Sequence, residues 1–149
     1  MRIVLNPIED LETACKSGNF FTGFALAVTY FEYEANHILG MFFQDRIPLK
    51  KIEKWSLASK IGIVFGLNLI EEKDCSKILE IICTRNRLIH PTEKTDKEGR
   101  RRDIFLRFRL NEKEKSSLLC FKERYGSLVQ AYSELWVKKM KSSDEVRPL

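Results

Sequence analysis

Four side chains that could act on a phosphate, Arg85, Asn86, Arg87 and His90, stand within six residues of one another in the stretch CTRNRLIHP, between Cys83 and Pro91. Arginine is a fixed cation whose planar fork matches the oxygens of a phosphate. Histidine accepts or releases a proton near neutral pH. Together they suit attack by an RNA 2′-hydroxyl on its neighbouring phosphate, with His90 handling protons and Arg85 stabilising charge on the phosphorane. Asn86 could orient the imidazole or contact the substrate, and no metal is needed.

The stretch closes an apolar helical run, which limits how these groups can meet. At about 100° per residue, Asn86 and His90 share a face, about 40° apart, whereas Arg85 and His90 lie about 140° apart on a continuing helix. Two arrangements escape this. Pro91 pushes His90 out of α geometry, so its ring can swing back toward Arg85. Alternatively, a second copy of the motif faces the first across a dimer interface. A plainer reading also stands: an arginine near a helix end often only bonds the last carbonyls, and a histidine before proline is often a loop residue. The field at His90 is mixed, because a helix C-terminus favours imidazolium while Arg85 and Arg87 disfavour it.

The rest of the chain offers no rival set. It has no Gly-rich phosphate loop and no Ser-His-Asp arrangement. Cys15, Cys75, Cys83 and Cys120 form no Cys-x-x-Cys pair, and two histidines cannot complete a convincing zinc set with them, so neither metal nor cofactor is expected. Cys75 and Cys83 would lie about 12 Å apart on a helix, too far for a disulfide. All four read as buried thiols in a reducing cytoplasm. The other histidine, His37, has no chemical partner in the sequence and reads as a surface or structural residue.

Composition bounds the setting. With 149 residues and 44% hydrophobic side chains, the chain suits one domain with a real core. The net charge of +5 is mostly local: Lys94 to Lys115 holds nine Lys or Arg against five Asp or Glu. Such a run is a solvated loop or, directly after His90, a patch that steers phosphates. Arg87, Arg100, Arg101 and Arg102 are its candidate substrate contacts. The Lys-rich segments lack the interleaved aromatics of a platform for single strands. MRIVLNPIED carries no export-signal pattern, and the apolar stretch Phe20 to Phe43 is broken by Glu32, Glu34, Asn36 and His37, so no membrane span is expected.

The elements that must position the motif read as helices. Asn6 as N-cap, Pro7 in the first turn, Glu9 in capping-box position and Gly18 as stop mark a short first helix. Phe24, Val28, Phe31, Ala35, Ile38 and Phe42 recur at spacings of four and three, a core stripe on a long second helix over 19–43. A third helix is expected over 51–67, with Ile52, Trp55, Ser59, Ile63 and Gly66 along one side and a close approach at Gly62 and Gly66. The fourth, over 72–89, has Cys75, Ile78, Leu79, Ile82 and Ile89 as its apolar face. DIFLRFRL alternates with period two, a short extended arm at 103–110. Asn111 with Glu114 opens a last helix to about Lys141, with Leu118, Phe121, Tyr125, Leu128, Tyr132 and Leu135 inside. The expected fold is all-α: an antiparallel bundle of about four main helices plus a short N-terminal one. Residues 1–141 read as a single domain and 142–149 as a flexible tail.

Arg85-Asn86-Arg87-Leu88-Ile89-His90 resembles the Arg-x4-6-His motif of the HEPN superfamily, small all-helical domains named for higher eukaryotes and prokaryotes nucleotide binding. The polar residue after the arginine matches, as does the place of the motif at the end of a late helix. LASKIGIVFGLNLIEEKDCSKILEIICTRNRLIHP is similar to the stretch before the motif in mannitol-repressor-like members. The resemblance covers Ser56 to Pro91 well and the remainder in helical pattern. It implies a metal-independent endoribonuclease of toxin–antitoxin or phage-defence type, a homodimer whose two motifs line one cleft. Arg85 and His90 would be the catalytic pair with Asn86 in support, RNA the substrate, and an antitoxin or regulatory protein a further partner. It equally implies the alternative of a non-catalytic regulatory protein of the mannitol-repressor kind. In toxins paired with a minimal nucleotidyltransferase the motif continues His-x-Tyr. Thr92 stands at that place here, so modification of the tyrosine is not carried over.

Overall fold

A computed structural model describes residues 6–89 and 110–145, and it is all-α: among the described residues there is no strand. His90, Arg100, Arg101, Arg102 and the arm expected at 103–110, except Leu110, lie outside the described residues. No helix among the described residues is long and apolar enough to cross a membrane.

The first helix, α1 (Pro7–Lys16), starts as its sequence dictates. Asn6 accepts the Glu9 amide at 3.2 Å, and its own amide donates to Glu9 Oε2 at 3.1 Å. Gly18 then turns the chain at φ 79°, a left-handed conformation that glycine adopts without steric cost. Asn19 caps α2 (Phe20–Phe43) by accepting the Thr22 amide. Phe24, Val28, Phe31, Ala35 and Ile38 are buried as their spacing predicts. Phe42 is not: it is 41% exposed, and its neighbour Phe43 packs inward instead, edge-on to Trp55.

The third helix is two helices. A 3-10 turn, Gln44–Arg46, leads into α3 (Leu49–Glu53), and α4 (Leu57–Gly66) follows after a break. Ser56 makes that break: it sits in extended geometry and its hydroxyl accepts the Ser59 amide, an N-cap inside the run expected to be continuous. The restart shifts the buried face to Leu57, Lys60, Ile61 and Val64. Gly62 and Gly66 face open space, so neither serves a close helix approach. Asn68 at φ 60° ends α4, with the Leu69 amide reaching back to the Val64 carbonyl at 3.2 Å, a Schellman-type stop with asparagine in place of glycine.

The fourth main element, α5 (Glu72–Ile89), buries Asp74, Cys75, Ile78, Ile81, Ile82, Thr84 and Leu88. Ile89, expected inside, is 37% exposed. Asn111 and Glu114 form the expected capping box at the start of α6 (Glu112–Leu119). The last helix divides at Cys120, and α7 (Phe121–Glu145) carries four residues past the end expected near Lys141.

The helices gather on α2, which touches α1, α3, α4, α5, α6 and α7. Gly23 lets α6 come close, since an added Cβ there would meet Leu118 Cδ2 at 2.8 Å. Rings of Tyr30, Phe31, Phe121 and Tyr125 fill the α2–α7 seam, with Phe31 and Phe121 centroids 5.2 Å apart. Two of the buried charges are tied to partners. Arg124 of α7 meets Asp74 of α5, and the fully buried Lys60 donates to the Glu53 carbonyl at the end of α3 at 3.4 Å. That lysine satisfies a helix C-terminal carbonyl with a cation.

Candidate functional site at the end of α5

α5 positions the motif through its own periodicity. Arg85 lies four residues after Ile81 and three before Leu88, on the face that carries Ile78 into the core. The guanidinium is therefore drawn inward. Arg85 is half-buried, and its Nε is enclosed with no hydrogen-bond partner. One residue on, about 100° around the helix, Asn86 is exposed. The structure does not bring these two side chains onto one surface.

Arg87 takes a third direction. Its guanidinium is ion-paired with the Glu114 carboxylate of α6, and the Arg87 side chain remains 38% exposed. Glu114 does two things at once. Its Oε1 accepts the Asn111 amide at 3.1 Å to complete the capping box, and its Oε2 holds Arg87. The sequence marked Glu114 as a cap and gave no sign of its second task, because Arg87 lies 27 residues away. A phosphate reaching Arg87 must compete with that carboxylate.

A hollow of about 570 Å³ lies beside this pair, lined by Glu80, Cys83, Thr84, Arg87, Asn111 and Lys113 among others. Glu80 and Glu114 balance Arg87 and Lys113 in its walls, and neither Arg85 nor Asn86 lines it. Cys83, expected to be buried, is exposed here, because it lies on the outer face of α5. Cys75 is buried as expected, and burial, with Glu72 nearby, pushes its thiol up from the ordinary value. No group of three or more His, Cys, Asp or Glu side chains suited to a metal occurs among the described residues.

Of the predicted site residues, then, Arg85 points to the core side of α5, Asn86 to solvent and Arg87 to α6, while His90 and Arg100 to Arg102 lie outside the described residues. Comparison with known protein families, with curated proteins and with solved structures finds no match to this chain.

Proposed function

We propose that this chain is a metal-independent endoribonuclease of the HEPN kind, a toxin or phage-defence enzyme that acts as a homodimer. Arg85 carries this reading. An enclosed guanidinium nitrogen without an acceptor costs on the order of 1–3 kcal/mol. Arg124 Nε is enclosed in the same way, but the Arg124 guanidinium is held by Asp74, whereas Arg85 has no ion pair among the described residues. A phosphate oxygen is the acceptor that the group lacks. In the reaction, the 2′-oxygen forms a bond to phosphorus and the bond to the 5′-oxygen breaks. One histidine takes the 2′-hydroxyl proton and another protonates the leaving oxygen. His90 from each of two subunits supplies both, and Arg85 holds the phosphorane. The products are a 2′,3′-cyclic phosphate and a 5′-hydroxyl.

The assay is RNA incubated with purified protein in EDTA, with the ends of the fragments identified. Arg85→Ala and His90→Ala should each lower the cutting rate by at least about a hundredfold, the usual worth of a proton-transferring group. Equal cutting, or equal silence, by wild type and both variants rules the pair out.

A second reading is favoured by Arg87. Its pairing with Glu114 is a structural use of a motif residue, as in a non-catalytic regulatory protein of the mannitol-repressor kind. Such a protein acts by holding a partner, and the same assay then shows silence throughout.

A further inference from the structure

Hollows on the described surface differ in the charge of their walls. The one along α5 and α7 is walled by Glu71, Asp74, Glu123 and Glu134 beside Lys73 and Arg124. The one beside Arg87 is balanced. The third, about 440 Å³, lies between the C-terminal halves of α2 and α7 and contains no carboxylate in its lining. Its walls hold Asn36, His37, Gln44, Ile47, Tyr132 and Lys139 among others, none from α5. Its size lies within the range of about 300–1,000 Å³ for small-ligand clefts.

The lining has the chemistry of a stacking site. His37 is exposed, with its ring 4.2 Å from Tyr33 and 5.6 Å from Tyr132. Tyr33 is itself 57% exposed. The rings are tilted against one another, and the solvent-exposed His37 ring, with the half-buried Tyr132, offers surface on which a base can stack. Asn36 Oδ1 is enclosed without a donor, and a turn of the terminal torsion would present that amide to an exocyclic amine. Gln44 holds a left-handed φ of 48° in the same wall. A non-glycine residue kept in that region marks a position whose backbone is fixed by something other than local preference. Lys139 lines the hollow, and exposed cations lie close to lining residues along the chain: Lys138 and Lys141 beside Lys139, Arg46 beside Ile47 and Lys50 beside Leu49.

We infer that this hollow binds a nucleotide unit, with the base against His37 and Tyr132 and its phosphate on Lys139. The chemistry is shared by a free nucleotide and by a residue of a single strand, and the flanking cations suit neighbouring phosphates of a strand. The site stands on residues separate from Arg85 and His90, and does not depend on the cutting reaction.

The test is anisotropy of a labelled single-stranded RNA dodecamer in EDTA. It uses the full chain carrying Arg85→Ala, so that the strand stays whole. His37→Ala and Lys139→Glu change exposed residues, and circular dichroism checks their fold. Each should weaken binding about tenfold, the size of one stack or one phosphate contact, while the exposed control Lys73→Glu changes nothing. Competition by AMP identifies a free nucleotide as a ligand; strand binding that AMP does not displace identifies the strand. If neither binds, or if both variants bind as the parent does, the inference is overturned. Cutting is scored separately with Arg85 intact, so a silent nuclease assay leaves this result standing.

Discussion

Arg85 is the residue at which the proposed chemistry and stability pull apart. Its Nε gives up water and receives no acceptor in return. Methionine has a similar reach and no donor to satisfy. Arg85→Met should therefore raise stability by about 1 kcal/mol, seen as a rise of a few degrees in the thermal midpoint, while abolishing any cutting. A fall in the midpoint would show that the guanidinium is held by contacts worth more than its desolvation. Arg85 was legible in the sequence as a candidate because its type and its distance to His90 were on the page. That it faces inward was not legible, because the apolar face was expected along Leu79, Ile82 and Ile89, whereas the fold buries Ile81 and Leu88 on the side of Arg85. His37 was not legible, because Tyr132 lies 95 residues away and only α2–α7 packing brings the rings together.

Between elements, Glu114 is the joint. It closes the N-terminus of α6 and holds Arg87 near the C-terminus of α5. Glutamine keeps the cap and loses the charge, whereas alanine loses both. Glu114→Ala should cost about 1–2 kcal/mol in urea unfolding, and Glu114→Gln less than half of that, since a pair this exposed contributes little. Equal losses would assign the whole effect to the ion pair. Caps such as Asn6 and Asn111 were readable because they act within four residues. The break at Ser56 was missed because Ile52, Trp55, Ser59 and Ile63 mimic one helical stripe across it. Only the fold reveals that Leu57 and Lys60 face inward instead. Lys139 and Tyr132 of α7 meet a ring from α2, His37, only across the seam.

At the scale of the whole molecule, alkaline stability follows from the α2–α7 seam. Burial, then the neighbouring Glu34 carboxylate, pushes the Tyr125 phenol up to about 12, and its hydroxyl donates to Glu34 Oε1 at 3.2 Å. Tyr30 is raised as well, by burial and then by its bond to Asp10. The folded chain keeps these protons where the unfolded chain has lost them, near the ordinary tyrosine value of about 10. Their contribution is therefore complete below that pH and declines from about 10 to about 12. Thermal midpoints measured across pH 9 to 12 should fall, and fall less steeply for Tyr125→Phe. Parallel curves would remove Tyr125 from the account.

The contacts of α2 with all six other helices have a consequence for how this chain can be divided. The first and last described helices, α1 and α7, both rest on α2, which joins them into one unit. A cut after Phe43 strands α2 with α1 alone, and a cut before α6 takes away the rings that cover Phe31. Among the described residues, a cut at either place separates helices that pack on α2. Any partner that seizes one helix pulls on the whole.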